Sequence, residues 1–135
     1  MNQHFVFPVR VYYEDTDAGG VVYHANYLKF FERARTELLR HWGYEQDVLR
    51  EKHGVIFAVR SMQIDYIRPA RFNDVLYVKT NLMQLKKASL FFAQSIHRND
   101  MTLCECQCRI ACVDIDKMKP MAIPEFLLTR FTHIQ

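Results

Sequence analysis

The stretch VRVYYEDTDAGGVVYHANYLKFFERARTELL, residues 9–39, decides the fold. Val9, Val11 and Tyr13 alternate with Arg10, Tyr12 and Glu14, which predicts a strand over residues 9–13. The pattern breaks at Asp15-Thr16-Asp17, turns through Gly19-Gly20 and enters a helix between Tyr23 and Asn26. From there Tyr27, Phe30, Phe31, Ala34, Leu38 and Trp42 recur at three- and four-residue steps. They make one apolar stripe on a helix that stops at Gly43. Such a helix, roughly twenty residues, would be about 30 Å long and cross a small sheet. Lys29, Glu32, Arg33, Arg35, Glu37 and Arg40 fill its other faces, with Arg33 and Glu37 spaced to pair.

The same stretch holds the residues with chemistry. Two carboxylates, a glycine turn, His24 and a helix start lie within residues 15–26. Unpaired N–H groups and the positive end of the helix dipole suit an oxyanion. A carboxylate beside such donors can attack a bound carbonyl, or activate water to do so. Gly19 and Gly20 permit backbone angles closed to other residues and let a ligand approach closely. The chain has no G-x-S-x-G elbow and no P-loop.

Beyond the helix, residues 44–52 read as a second short helix with Val48 and Leu49 inward, ended by His53-Gly54. The period then changes to two. Val55, Phe57 and Val59 alternate, and Met62, Ile64 and Tyr66 continue on the opposite parity, so one long strand carries a bulge near Arg60-Ser61. Three more strands follow, over residues 75–85, 89–97 and 103–114, separated by the short connections Lys86-Lys87-Ala88 and Arg98-Asn99-Asp100. Pro124 starts a short helix over residues 125–131. One striped helix on a five-stranded, mainly antiparallel sheet is a two-layer α+β domain. Without a repeat or linker, residues 1–135 read as a single domain.

Composition narrows the function classes. A net charge of +3 and a pI near 8.7 are too mild for a nucleic-acid surface. No run reaches the roughly 18 apolar residues of a membrane span, and the first residues lack a signal-peptide pattern, so a cytoplasmic protein is expected. Cys104, Cys106, Cys108 and Cys112 fall in the last long strand. Residues four apart along a strand are roughly 13 Å apart, too far to share an ion. They read as small apolar side chains packed under the helix, with no metal site.

Three segments are together similar to a known family: RVYYEDTDAGGVVYHANYLKFFERARTE (residues 10–37), MQIDYIRPARFNDVL (62–76) and CVDIDKMKP (112–120). They resemble the 4-hydroxybenzoyl-CoA thioesterase family, most of all its branch of acyl-CoA thioesterases associated with the bacterial Tol-Pal system. The resemblance implies a hotdog fold, a long central helix wrapped by the sheet, and hydrolysis of acyl-CoA to free acid and CoA without a cofactor. It places the catalytic carboxylate at Asp17 and the turn into the helix at Gly20 and residues 21–23. The thioester carbonyl would lie at the backbone N–H near His24, and Asn26 and Tyr27 match the family's NY pair. Lys86, Lys87 and Ser89 match the connection that meets CoA phosphates. Family members are dimers or dimers of dimers. The aromatic-substrate branch has another residue at the place of His24, which favours an aliphatic acyl group here.

Several roles stay open at this level. Asp15 is a turn former or a charged neighbour of Asp17. His24 acts directly, holds water, orients the thioester or packs. Tyr23, Tyr27, Phe30 and Phe31 are core or border an acyl channel. Arg68 and Arg71 read as local salt-bridge partners, and Lys117 and Lys119 are the next candidates for phosphate. Asp17 serves as nucleophile or as general base. A different class of function is an interaction protein of the cell envelope that binds acyl-carrier protein or a phospholipid-synthesis enzyme, with hydrolysis incidental. A hotdog dehydratase is disfavoured, since its histidine–carboxylate pair follows another motif.

Overall fold

The apolar stripe of the first helix is the surface on which the sheet closes. The structure, a computed structural model, describes residues 5–134, the last of them by its backbone alone. Helix α1 (Asn26–His41) buries Tyr27, Phe30, Phe31, Ala34, Leu38 and Leu39. It has sixteen residues, roughly 24 Å, and is shorter than the long helix the periodicity suggests. The reason lies at its start. The N–H of Tyr23 donates to the Asp15 carbonyl at 2.9 Å, which holds residues 23–25 in a turn before the helix. At the other end Gly43 takes φ 97°, and the chain leaves the helix there.

The strands are β1 (Phe5–Arg10), β2 (Val55–Tyr66), β3 (Val75–Leu85), β4 (Ser89–Arg98), β5 (Met101–Asp114) and the two-residue β6 (Lys119–Pro120). Helices α2 (Gln46–His53) and α3 (Glu125–Ile134) complete the chain. The sheet order is β1-β3-β4-β5-β2, every pairing is antiparallel, and β6 adds to β5 beyond the end of β4. The first strand therefore ends at Arg10 instead of Tyr13 and includes Pro8. A proline is tolerated because β1 is an edge strand, with its unpaired side free of ladder bonds. The bulge expected in β2 falls between Val59 and Ser61. Leu49 is buried as expected, whereas Val48 is 40% exposed. The short β6 has no periodicity to reveal it.

Charges on α1 also differ from the sequence reading. Glu37 pairs with Arg40, not with Arg33, and Arg40 also holds Glu45 at 3.0 Å. The guanidinium of Arg33 lies over the Phe30 ring instead. Arg35, assigned by pattern to a solvent face, is buried.

The four cysteines alternate along β5 with Glu105, Gln107 and Arg109, point to the helix side and join the same apolar cluster as Phe30 and Phe31. All are buried and none is in a disulfide. Burial pushes the thiols of Cys104 and Cys106 up to about 12 and that of Cys112 up to about 11. Thiolate is the reactive form. Iodoacetamide at pH 8 should leave the native protein unlabelled by mass spectrometry, and unfolding in guanidinium should expose all four. The sign of the linkage follows. The unfolded chain loses these protons near pH 9 and the folded chain holds them, so stability should fall as pH rises from about 9 to 12. Fast labelling of the native thiols at pH 8 would contradict this packing.

Candidate active site

The segment between β1 and α1 is tied at both of its ends to one residue. The carboxylate of Asp15 accepts the N–H of Tyr12 at 2.8 Å. Its carbonyl accepts the N–H of Tyr23 at 2.9 Å and the Asn26 side-chain amide at 2.9 Å. Asp15 is buried, so these bonds replace water that it cannot reach. Of the two roles open in the sequence, it takes the structural one. Asn26, a candidate ligand contact, spends an amide N–H on this tie.

Inside the tie, Thr16 bridges Val22 and the N–H of Asp17 donates to the Val21 carbonyl at 2.9 Å. A tight turn over residues 17–20 closes the loop with Gly20 N–H on the Asp17 carbonyl at 3.0 Å. Gly20 takes φ 79°, a left-handed angle that a side chain resists. The N–H of Gly19 donates to Asp17 Oδ1 at 2.8 Å, and a Cβ on Gly19 would sit 3.2 Å from that oxygen. The carboxylate of Asp17 is thus aimed by its own turn. It is exposed, and among the described residues Oδ2 has no hydrogen-bond partner.

The other wall is the segment before β3. Val22 N–H donates to the Ala70 carbonyl at 2.9 Å, Val21 bridges Arg71, and Ala70 N–H donates to the Tyr27 hydroxyl at 3.0 Å. Tyr27 is 3% exposed, and burial raises its phenol above the usual range. It anchors the loop. Arg68 donates to the Thr102 carbonyl, while Asp74 accepts Arg98, so the salt bridges expected of Arg68 and Arg71 do not form among the described residues.

At the helix start the cap residue Ala25 offers no side-chain acceptor. Among the described residues, the N–H groups of His24 and Ala25 meet no acceptor. Tyr66 donates its hydroxyl to the His24 carbonyl at 2.8 Å, which fixes the peptide carrying the Ala25 N–H. The His24 ring is exposed, 4.5 Å from the Tyr23 ring and 6.3 Å from that of Tyr66. Sequence reading missed Tyr66 because its partner is a backbone atom 42 residues away.

Asp17, Gly20, Tyr23, His24, Asn26 and Tyr27 therefore come together. Lys86, Lys87 and Ser89 do not join them within one chain. The turn adjoins the Val75 end of β3, where Val11 and Asp74 are hydrogen-bonded, and Lys86 follows its far end. Eleven strand residues separate the two ends by roughly 33 Å. Lys86 and Lys87 are exposed, the Lys86 ammonium lying 5.4 Å from the centre of the Phe91 ring. Ser89 is buried in β4.

An antiparallel sheet closed on one helix, with a carboxylate turn at the helix start, is the hotdog fold of thioesterases. The model of the thioesterase-like superfamily matches residues 11–131, and the chain belongs to that superfamily. It is 49% identical over 131 residues to the acyl-CoA thioesterase YbgC of Haemophilus influenzae, covering 97% of this chain and 96% of that protein. It is 48% identical over 128 residues to the acyl-CoA thioester hydrolase YbgC of an Escherichia coli strain, O157:H7, covering 94% and 95%. The crystal structure of a probable thioesterase from Bartonella henselae superposes with a TM-score of 0.86 at 38% identity, covering 90% of this chain and 100% of that one.

The tie predicts its own energetics. Asn26→Ala should lower stability in urea unfolding by about 1 kcal/mol, the net worth of one hydrogen bond. Asp15→Ala should lower it by roughly 1–3 kcal/mol, because the N–H of Tyr12 is left without its acceptor. Equal stability of both variants and the wild type would mean that the loop is held some other way.

Proposed function

We propose that this thioester hydrolase cleaves aliphatic acyl-CoA at the start of α1, with Asp17 as nucleophile or general base. The observation that carries the reading is the exposed Asp17 carboxylate, aimed by Gly19 N–H, in a loop that ends at two N–H groups without acceptors. The thioester carbonyl accepts the N–H of His24 or Ala25, which the positive end of the helix dipole reinforces. Asp17 then either attacks the carbonyl carbon or takes a proton from the water that does. The tetrahedral oxyanion forms against the helix start. As it collapses, the carbon–sulfur bond breaks and CoA leaves as a thiolate, which takes up a proton. In the nucleophile form, water hydrolyses the resulting anhydride; in the base form, the acid is released directly. No serine triad is needed, since a thiolate is a good leaving group. Tyr23 and His24 flank the acyl group from the rim, and Gly20 leaves room for it.

The reading extends to assembly. Lys86 and Lys87 serve CoA phosphates only when a second copy brings them to Asp17, which supports a homodimer or homotetramer. Strand β2, twelve residues long, is a free edge through which copies can join. We include in the proposal the association with the Tol-Pal system that the sequence resemblance implies. Acyl-carrier protein is the alternative carrier of the acyl group.

Thiol release across a panel of acyl-CoA and acyl-carrier substrates tests the activity. In that assay folded Asp17→Asn, which keeps shape but loses charge, should lose on the order of 10²–10⁴ in kcat with little change in KM. Full kcat in this variant would remove Asp17 from the chemistry.

A further inference from the structure

Tyr66, the last residue of β2, reaches across to the start of α1. The chain is pinned just beyond it: the N–H groups of Ile67 and Arg68 both donate to the Leu103 carbonyl, at 2.8 and 3.0 Å. The ring meets that of Tyr27 edge-on, 5.4 Å between centroids, and that of His24 at 6.3 Å, so two neighbours set its plane. Its hydroxyl then donates to the His24 carbonyl at 2.8 Å. A regular α-helix would direct the Leu28 N–H to that carbonyl. Here the Leu28 N–H donates to the Ala25 carbonyl instead, at 3.2 Å, and leaves the His24 carbonyl to Tyr66.

The peptide group between His24 and Ala25 is planar and trans, so its C=O and N–H point in opposite directions. Holding the carbonyl therefore aims the Ala25 N–H. A hydrogen bond at the carbonyl also polarises the peptide and strengthens its N–H as a donor. Among the described residues that N–H meets no acceptor. The His24 N–H likewise meets none, but it sits on a different peptide, whose Tyr23 carbonyl accepts the Asn26 N–H at 2.8 Å. Backbone alone holds the first of these peptides. A side chain holds the second.

The neighbouring Tyr27 shows what a purely structural hydroxyl looks like. It is 3% exposed and accepts the N–H of the fully buried Ala70, which has no water to turn to. Tyr66 is different. It is 48% exposed, so without its hydroxyl the His24 carbonyl is free to bond water. The fold does not depend on this bond. Its effect falls on the orientation and polarity of one peptide at the helix start, and a phenol keeps the proton it donates throughout the neutral pH range.

We propose that Tyr66 is a positioning residue for thioester hydrolysis: through the His24 carbonyl it aims and strengthens the Ala25 N–H as a donor to the oxyanion. The inference rests on the thioester site proposed above at the start of α1. Negative charge grows on the carbonyl oxygen only as the tetrahedral species forms. A donor held in place beforehand therefore lowers the barrier more than it tightens substrate binding.

Tyr66→Phe removes the donated proton and keeps the ring. With octanoyl-CoA its kcat should fall about tenfold, short of the roughly 10²–10³ lost with a whole oxyanion donor, while KM stays within about twofold. Its midpoint in urea should match the wild type, whereas Tyr27→Phe, which strands the buried Ala70 N–H, should lower the midpoint. Without substrate, the NMR signal of the Ala25 amide should move in Tyr66→Phe. Fluorine on the Tyr66 ring makes the phenol a stronger donor, so kcat should rise at a pH where that phenol is still protonated. A merely structural tie would lower the urea midpoint or raise KM, and its kcat would ignore the fluorine. Unchanged kcat in folded Tyr66→Phe, or a kcat loss that fluorination does not mirror with a gain, overturns the role of Tyr66. Turnover by the wild type then leaves the thioesterase reading standing. No turnover by the wild type on any thioester overturns both.

Discussion

One buried aspartate holds together the end of the molecule where we place the active site. Asp15 accepts one N–H from Tyr12, just past the end of β1, and two from the entry to α1. Without those three bonds, residues 16–22 would be a free loop with its ends unspecified. With them, the loop becomes a small hydrogen-bonded hairpin whose tip carries Asp17 and whose exit delivers the peptide N–H groups of His24 and Ala25. A loop proposed to carry catalysis has to be fixed by supporting contacts, and here backbone atoms supply nearly all of them. Tyr27 and Tyr66 complete the support from the helix and from β2, each through its hydroxyl.

The sheet imposes a second constraint. Antiparallel strands of ten or more residues place their two ends far apart, so the residues at Lys86 and those at Asp17 belong to opposite poles of the same chain. A thioester with a long charged handle needs both chemistries. That requirement ties the proposed catalysis to the proposed assembly. The inner face meanwhile is nearly all apolar, built from α1, the β5 cysteines and the aromatic side chains around them. Arg35 and its amide partner Gln94 interrupt it.

Much of this was legible from residue order alone. The stripe from Tyr27 to Trp42, the alternation of β3, β4 and β5, and the parity change in β2 each reflect a repeating burial pattern, and repeating patterns survive in sequence. The placement of Tyr23, His24 and Gly20 around Asp17 followed from their closeness along the chain. What escaped were contacts between distant residues and backbone atoms. The tie from Tyr66 to His24, the anchor from Ala70 to Tyr27, and the late start of α1 depend on carbonyl and N–H groups that every residue possesses. Arg35 misled for another reason: a charged residue at a helix position reads as solvated, and its burial depends on Gln94, 59 residues on. Pro8 misled because its effect depends on whether the strand is an edge.

The central claim is that the thioester carbonyl rests at the start of α1 beside Asp17. A crystal structure of Asp17→Asn soaked with octanoyl-CoA tests it most directly, since the slowed variant retains its ligand. The account predicts the carbonyl oxygen about 3 Å from the backbone nitrogen of His24 or Ala25, with the carbonyl carbon facing the side chain at position 17. A thioester bound elsewhere, with the helix start left to solvent, would contradict it.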